Sequence, residues 1–298
     1  MKLRSTLENY LFILPAVAIF SVFYIYPFIK VFQLSMMRWD GILPTMQFVG
    51  LGNFKGVLQD KIWWGSMWHA AYITFIALTF QNGLALLLAL ACDREIKARN
   101  FFRVLFFIPP ILSEVVVGLI WQWILDSNYG IFNEFLRNIG LTSLVHNWLA
   151  DPKTALTCIA VVHSWKGFGW GFIIMLAGLQ TIPRQLYEAA RVDGTSSWQR
   201  FCSITFPLML PVFSMVVILT ILGSMQAFML IFTMTGGGPA YHTEVPVTRI
   251  LAWMNSSYFG YACAQGIVFG LILIIVSFTQ KKMSERMNIG RKKNNSAL

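Results

Sequence analysis

Charged side chains are scarce in this chain of 298 residues. Asp, Glu, Lys and Arg make up 12% of the sequence, whereas hydrophobic residues make up 56%. A soluble globular domain carries about 25% charged residues. The composition therefore excludes an ordinary soluble domain and indicates a protein that is surrounded by lipid.

Patterns for metal binding, disulfide formation or phosphate binding are also missing. The four cysteines, Cys92, Cys158, Cys202 and Cys263, are far apart and lie in or beside apolar runs. Thiols in such positions are best explained as packed side chains. The phosphate-binding pattern G-x-x-x-x-G-K-[ST] is absent, which excludes a P-loop ATPase.

Long apolar runs are what the sequence has in abundance. Four runs without any charged residue each exceed the roughly 20 residues that a helix needs to cross a bilayer. Two further runs contain a single charge each, Glu114 or Lys166. The predicted fold is all-α, an integral membrane protein with six transmembrane helices. Their predicted bounds are residues 10–36, 68–92, 102–126, 154–181, 207–233 and 262–280.

Basic residues are distributed unevenly around these helices. With the N-terminus inside, fifteen of the 23 Lys and Arg fall in cytoplasmic segments and six in outer loops. Cytoplasmic loops carry the excess of positive charge, so both termini are predicted to face the cytoplasm. This asymmetry explains the net charge of +10 without a nucleic-acid partner. A single transmembrane domain is predicted over residues 1–298, with a disordered basic tail from about residue 284.

One polar segment, at about residues 182–203, separates the fourth and fifth predicted helices on the cytoplasmic side. Pro183 is tolerated at the start of a helix, and Gly194 can end that helix in a left-handed conformation. Ser196 followed by Gln199 matches a capping box, so a second short helix should begin there. The segment is predicted to be a helix, a turn and another helix.

Two interpretations of this segment are open from its residues alone. The small Ala189 and Ala190 beside Glu188 permit close approach to a groove on another protein, as in helix-in-groove binding. Alternatively, the segment is an amphipathic helix that lies on the lipid headgroups. Helices of that kind usually carry more Lys and Arg and a larger apolar face.

The segment resembles a signature of the integral membrane subunits of ATP-binding cassette importers. That signature is Glu-Ala-Ala, three residues, Gly, nine residues, Ile, one residue and Leu-Pro. The chain has the same spacing with Phe in place of the usual Leu, at Glu188, Ala189, Ala190, Gly194, Ile204 and Phe206-Pro207. The wider stretch LAGLQTIPRQLYEAARVDGTSSWQRFCSITFPLMLP and the outer MTGGGP are similar to the maltose-type carbohydrate permeases.

The resemblance implies a type I importer permease fold in the bacterial plasma (inner) membrane. It implies a second permease subunit as a heterodimer partner, two ATPase subunits that hold ATP and Mg²⁺, and an extracytoplasmic solute-binding protein. The chain itself would be a transport subunit that binds no cofactor and catalyses no reaction. The polar segment would dock into a cleft of an ATPase subunit through Glu188, Ala189, Ala190, Arg191, Asp193 and Gly194.

Polar groups at membrane depth form a second candidate site. Ionisable side chains there usually face the bundle interior or a transport pathway. His163, Lys166, Gly167 and Trp170 occupy positions i, i+3, i+4 and i+7 of the fourth helix, which is one face. Indole rings stack on the C–H surfaces of sugars, and polar tips bind hydroxyls, so the face is a candidate sugar-binding wall. Structural packing, with Lys166 paired to Glu114, is the other explanation.

The resemblance extends this site to neighbouring segments. IPPILSE and HSWKGFGW match segments that form the membrane sugar site of maltose-type permeases, and the helix after the polar segment would contribute further residues. The implied substrate-binding residues are Pro110, Glu114, His163, Lys166, Gly167, Trp170, Thr220, Ser224 and Gln226. They differ from the maltose pattern, so another carbohydrate is expected. An acidic uronate oligomer would suit Lys166 and His163, and a neutral sugar or polyol fits equally if Glu114 neutralises Lys166.

Two other classes of protein make different predictions. An ion-coupled secondary sugar transporter would show an inverted repeat or broken helices around a midplane ion site. A membrane-embedded enzyme would need a metal cluster or a nucleophile with its base, and the sequence contains no such pattern. ATPase subunits bound in stoichiometric amount would distinguish an importer from both.

Overall fold

The computed structural model describes residues 12–94 and 97–295, and helices dominate this part of the chain. A two-residue antiparallel pair, β1 (Met37–Arg38) with β2 (Gln47–Phe48), follows the first helix. In chain order the helices are α1 (Phe12–Ser35), α2 (Gly52–Gln59), α3 (Lys61–Asp93), α4 (Arg99–Ile111), α5 (Glu114–Ile124), α6 (Ile131–Asn138), α7 (Ala155–Gln180), α8 (Arg184–Val192), α9 (Ser197–Met225), α10 (Met229–Thr235), α11 (Pro246–Asn255) and α12 (Phe259–Asn295).

Five of the six predicted transmembrane segments are continuous helices in the structure, and the remaining one corresponds to a bent pair of helices. Within the described residues, α1, α3, α7, α9 and α12 are long and apolar enough to cross a membrane. Helices α4 and α5 pass the same test only as a pair, with an angle of 94° between them, so the described residues contain five candidate spans, or six if this bent pair is one span. The predicted bounds of α7 are correct to one residue at each end.

The prediction of one unbroken third span was wrong. Helix α4 ends at Ile111, and Leu112 and Ser113 adopt extended backbone conformations before Glu114 begins α5. Pro109 and Pro110 immediately precede the break. Proline lacks an N–H and its ring clashes with the carbonyl four residues earlier, which weakens a helix at this point.

The predicted bounds of the fifth helix were also wrong at both ends. Helix α9 begins at Ser197, and its first turns include a π-helical segment, Phe201–Thr205, before Pro207. It ends at Met225, and α10 begins only at Met229 after Phe228, whose φ is −140°. No proline or glycine marks residues 226–228 in the sequence, so local residue types did not predict this break.

The starts of two other helices were placed too late. Helix α3 begins at Lys61 because Oδ1 of Asp60 accepts hydrogen bonds from the backbone N–H groups of Ile62 and Trp63, as an N-cap does. Helix α12 begins at Phe259 and continues to Asn295, through most of the segment predicted to be a disordered tail. Residues 296–298 of that segment, and residues 10 and 11 of the first predicted helix, lie outside the described residues.

The chain divides into two compact units. The first comprises the described part of Met1–Trp63 with Arg249–Ile272. In it, the side-chain amide of Asn53 donates hydrogen bonds to the carbonyls of Ser35 and Met37. Asp60 lies 3.8 Å from the guanidinium of Arg249, and both side chains are nearly buried. These contacts connect the end of α1, α2 and the start of α11.

The second unit, Trp64–Thr248 with the described residues from Leu273 onward, is packed around α7. Phe168 and Phe172 of α7 are buried with Ala85 of α3. A methyl group at Gly171 would lie 3.2 Å from Cβ of Ala85, so glycine brings the two helices close. Lipid is as apolar as these side chains, and tight van der Waals packing therefore contributes more than the hydrophobic effect.

The loop between α5 and α7 is held by its own polar side chains. Asn133 is fully buried, and its amide donates to the carbonyl of His146 at 2.9 Å and accepts from Nε1 of Trp148 at 2.8 Å. Hydrogen bonds from two backbone N–H groups lower the pKa of Asp126; the bond from Tyr129 has the larger effect and the bond from Asn128 the smaller. This loop therefore has a defined conformation although it contains only short helices.

Candidate functional site

Helix α8 and its C-terminal turn contain all six residues predicted to couple to an ATPase. The helix ends at Val192, and Gly194 adopts a φ of +74°, as expected for a glycine that terminates a helix. The backbone N–H of Thr195 donates to the carbonyl of Ala190 at 3.0 Å. The predicted helix and turn are therefore confirmed.

The start of α9 is fixed by the predicted capping box. Oγ of Ser196 accepts from the backbone N–H of Gln199 at 3.2 Å, and the Gln199 side chain accepts from the backbone N–H of Ser196 at 2.7 Å. The guanidinium of Arg200 donates to the carbonyl of Thr195. Several hydrogen bonds thus hold the two helices and the turn between them in one arrangement.

The surface of this helix–turn–helix is exposed and partly apolar. None of the residues of α8 is buried, and Val192 and Trp198 have 88% and 72% of their surface exposed. Glu188 and Ala189 are exposed, whereas Ala190 is half-buried. Tyr187 is turned inward, where its hydroxyl lies 2.9 Å from Oγ1 of Thr205. The segment therefore presents an acid, small residues and large apolar side chains outward.

The predicted polar face of α7 is present in the structure. His163, Lys166 and Gly167 are half-buried and Trp170 is 56% exposed, whereas Phe168 on another side of the helix is buried. The ring of Phe107 meets the indole of Trp170 edge to face, with centroids 5.2 Å apart. One side of the indole is therefore packed while much of its surface remains accessible.

Lys166 and Glu114 approach each other between α7 and the start of α5. Nζ of Lys166 lies 3.9 Å from Oε1 of Glu114, and the lysine side chain is 15% exposed. Glu114 is the first residue of α5, where the helix dipole favours a negative charge. The break between α4 and α5 therefore places a carboxylate where it offsets a nearly buried ammonium.

Two hydroxyls of α9 belong to the same polar region. Ser224 is buried, and its Oγ lies 3.2 Å from Nε2 of His163. Thr220, one turn earlier, donates to Oδ1 of Asn82 in α3 at 3.0 Å. The structure thus brings together predicted residues of α5, α7 and α9 with a residue of α3.

Two further predicted substrate-binding residues, Pro110 and Gln226, make no hydrogen bond to this cluster that the structure shows. Pro110 is buried against α7, and a methyl group at Gly169 would lie 2.5 Å from its Cγ. Gln226 is exposed immediately after the end of α9. Pro110 packs against α7 in this structure, and the substrate-binding roles predicted for Pro110 and Gln226 stay predictions.

Sequence reasoning missed the two amides of α3, Gln81 and Asn82. Both are 8% exposed and lie in the polar cluster, Gln81 against Gly167 and Asn82 against Thr220. The signal available in the sequence was an amide pair inside the long charge-free run of the second predicted helix. Across the described residues, His, Cys, Asp and Glu form no group suited to a metal ion.

Comparisons with known proteins identify the family of this chain. Residues 81–289 match the family model of the binding-protein-dependent transport system inner membrane component. The chain is 32% identical over 279 residues to the trehalose/maltose transport system permease protein MalF of Thermococcus litoralis, covering 94% of this chain and 93% of the relative. It is 31% identical over 280 residues to the sn-glycerol-3-phosphate transport system permease protein UgpA of Agrobacterium fabrum, covering 93% and 94% of the two chains.

The fold matches that of solved transporters. A crystal structure of a bacterial ABC transporter involved in the import of the acidic polysaccharide alginate superposes with a TM-score of 0.81 and 22% identity, covering 96% of this chain and 99% of the other. The relatives are named as permeases, so the chain is a transport subunit and not an enzyme. It is a multi-pass membrane protein that belongs to the family of binding-protein-dependent transport system inner membrane components.

Proposed function

We propose that this chain is the permease subunit of an ATP-driven sugar importer and that α8 is its contact with the ATPase. The exposed Glu-Ala-Ala helix with its fixed turn is the observation that carries the proposal. Helix-in-groove binding requires an exposed helix whose small residues permit close approach, and α8 has both properties. Glu188 is acidic and exposed, so it is available to pair with a basic residue of the partner.

Helix α9 connects the coupling surface directly to the polar cluster. It runs without interruption for 29 residues, about 43 Å at 1.5 Å per residue. Its first turn is the capping box beside the coupling turn, and Thr220 and Ser224 lie near its other end. A displacement of the docked turn by ATP-driven closure would therefore shift Thr220 and Ser224 together with α9 and change the polar cluster.

The proposed assembly contains a second permease, two ATPase subunits and an extracytoplasmic solute-binding protein. ATP and Mg²⁺ belong to the ATPase subunits, and this chain alternates between inward-open and outward-open states with both termini in the cytoplasm. A solved alginate transporter with this fold was crystallised with a pentasaccharide-bound periplasmic protein, which supports this composition. Copurification of ATPase subunits in stoichiometric amount is expected.

The substrate that fits the polar cluster best is a neutral sugar or polyol. Glu114 offsets the charge of Lys166, and the other polar groups of the cluster include hydroxyls, an imidazole and side-chain amides. Such groups recognise hydroxyls by hydrogen bonding, while the exposed indole of Trp170 offers a stacking surface. The names of the relatives include both sugar and glycerol phosphate transporters. The charge of the substrate is therefore the property to test.

Broken helices were expected of an ion-coupled secondary transporter, and the structure contains two breaks, at residues 112–113 and 226–228. Family membership decides against that class, because the family model covers α7, α8 and α9 entirely. The breaks lie in a permease of a binding-protein-dependent system. An ion gradient is therefore not the proposed energy source.

A substrate screen on the assembled transporter tests the proposal. The complex would be purified with its native partners and reconstituted, and ATPase activity measured with maltose, trehalose, sn-glycerol-3-phosphate or an alginate oligosaccharide. Stimulation by a neutral sugar would support the proposal. Stimulation by the anionic compounds alone would contradict a neutral substrate, and the absence of ATPase subunits would contradict the importer.

A further inference from the structure

The polar face of α7 has a gap at Gly167, and a side chain from α3 occupies it. A methyl group at Gly167 would lie 2.5 Å from Oε1, 2.8 Å from Cδ and 3.0 Å from Nε2 of Gln81. The whole carboxamide therefore rests on the glycine backbone. At the position of Gly167, next to Lys166 on this face, the side chain that fills the space is therefore that of Gln81 from α3.

Gln81 is buried without a complete set of hydrogen bonds. Its side chain is 8% exposed, and Oε1 has no hydrogen-bond partner among the residues that the structure describes. A buried acceptor without a partner costs free energy, so such a group calls for an explanation, and a bound ligand or water is one. Packing alone would be achieved equally well by a methionine, which has similar length and no amide.

In the neighbouring amide of Asn82, a hydrogen-bond donor lacks a partner among the described residues. Oδ1 of Asn82 accepts from Thr220, whereas its buried Nδ2 is without a partner in the described part of the chain. The cluster thus offers one unused acceptor and one unused donor, neither of them charged. A sugar presents hydroxyls that both donate and accept, which matches this pair.

Local backbone geometry supports a functional position for Gln81. It is the last residue of a π-helical segment, Ala77–Gln81, inside the otherwise α-helical α3. π-Helical turns within α-helices occur frequently at functional sites because they change the direction of the side chains that follow. The segment faces α7 and α9, the two helices that supply His163 and Thr220.

We propose that Gln81 is a specificity-determining residue of the substrate site, where its carboxamide accepts a hydrogen bond from a substrate hydroxyl above Gly167 while Asn82 donates to a second substrate oxygen. This inference rests on the proposed function of a neutral sugar importer. It assigns to α3 a direct part in substrate selection, in addition to α5, α7 and α9.

The first test is Gln81→Met, which keeps the length of the side chain and removes the amide. Maltose and trehalose uptake by the complete transporter would be measured, and we expect KM to rise about three- to tenfold with little change in Vmax, as for the loss of one hydrogen bond. Thr79→Val is the matched control. Thr79 belongs to the same π-helical segment, but it is exposed and its hydroxyl bonds to the carbonyl of Phe75 at 2.9 Å.

The second test uses the contact with Gly167. In Gly167→Ala the new methyl displaces the flexible end of Gln81, so KM should rise as in Gln81→Met while the complex still assembles. Combining Gly167→Ala with Gln81→Met should add much less than the product of the two single effects, because both remove the same interaction. Gly83→Ala is the control, since no atom lies within 4 Å of a methyl group there.

The outcomes separate this inference from the proposed function. Unchanged KM in Gln81→Met, in a parent complex that maltose or trehalose stimulates, would overturn the role of Gln81 and leave the importer intact. Fully multiplicative effects in the double variant would also overturn it. A parent complex that no sugar stimulates would refute the proposed function itself.

Discussion

At the residue scale, Lys166 shows how the polar cluster tolerates a charge at membrane depth. An ammonium removed from water is costly unless a partner compensates for it. Glu114 lies 3.9 Å away, at the favourable end of α5. The same lysine remains 15% exposed, so one side of it is accessible to a ligand.

Trp170 and Lys166 provide a direct test of the sugar-binding wall. Trp170→Ala removes a stacking surface, and Lys166→Ala removes a hydrogen-bond donor and leaves Glu114 without its partner. We expect each variant to lower sugar uptake by about three- to tenfold, the equivalent of roughly 1 kcal/mol for an aromatic contact or a hydrogen bond. Assembly with the ATPase subunits, measured by copurification, should change much less.

Trp123→Ala is the control for the loss of an exposed indole, since Trp123 in α5 is 80% exposed. Its uptake kinetics should match those of the parent transporter. If Trp170→Ala and Lys166→Ala also had the parent kinetics, this face of α7 would serve packing alone.

At the scale of single elements, α8 and α9 are joined by a turn with a fixed conformation. The turn between them is fixed by Gly194, by the capping box and by the bond from Thr195 to Ala190. A flexible turn would absorb a displacement of α8, whereas a turn fixed in this way is expected to pass it on to α9. We therefore expect the proposed coupling to depend on a stiff junction as well as on a contact made by Glu188.

Charge reversal at the coupling helix tests this element. Glu188→Lys replaces the exposed acid that is proposed to face a basic residue of the ATPase, so repulsion should weaken docking. We expect sugar uptake to fall at least tenfold and ATPase subunits to copurify in lower amount, with membrane insertion unchanged. The loss of tenfold corresponds to about 1.4 kcal/mol, within the range of a charge-assisted hydrogen bond.

Glu134→Lys is the control for a reversed charge at an exposed acid. Glu134 lies on α6, and its contact with Arg137 joins two exposed side chains, a kind of ion pair worth little. Uptake by this variant should resemble that of the parent. Parent-like uptake in Glu188→Lys would rule out the docking role of α8.

At the scale of the whole molecule, orientation in the membrane links the elements to their partners. If α8 contacts ATPase subunits as proposed, it must face the cytoplasm, and the α5–α7 loop must then face outward. Lys and Arg counts predict this orientation, because cytoplasmic loops carry more of them. The prediction is testable without any knowledge of the substrate.

Cysteine labelling measures the orientation. In a Cys202→Ser background expressed without the ATPase subunits, Val192→Cys and Tyr129→Cys would be treated with a membrane-impermeant maleimide. Both positions are strongly exposed, at 88% and 92%. Val192→Cys should react only in inside-out vesicles and Tyr129→Cys only in right-side-out vesicles. The reverse pattern would contradict the importer assignment.

Sequence alone determined the membrane class, the five continuous spans and the helix–turn–helix, because apolar length, a glycine at the helix end and a Ser–Gln cap act within a few residues. The breaks after Ile111 and Met225 show the limits of such local rules. Two prolines precede the first break, although an unbroken helix was predicted there. No proline or glycine marks the second break.

Tertiary structure decided which polar groups meet. Thr220 bonds to Asn82, 138 positions away, and Ser224 lies beside His163 across 61 positions. Gln81 fills the space over Gly167 only because α3 and α7 pack closely. Contacts between distant segments depend on the packing of whole helices, and residue spacing along one helix carries no information about what a neighbouring helix places against it.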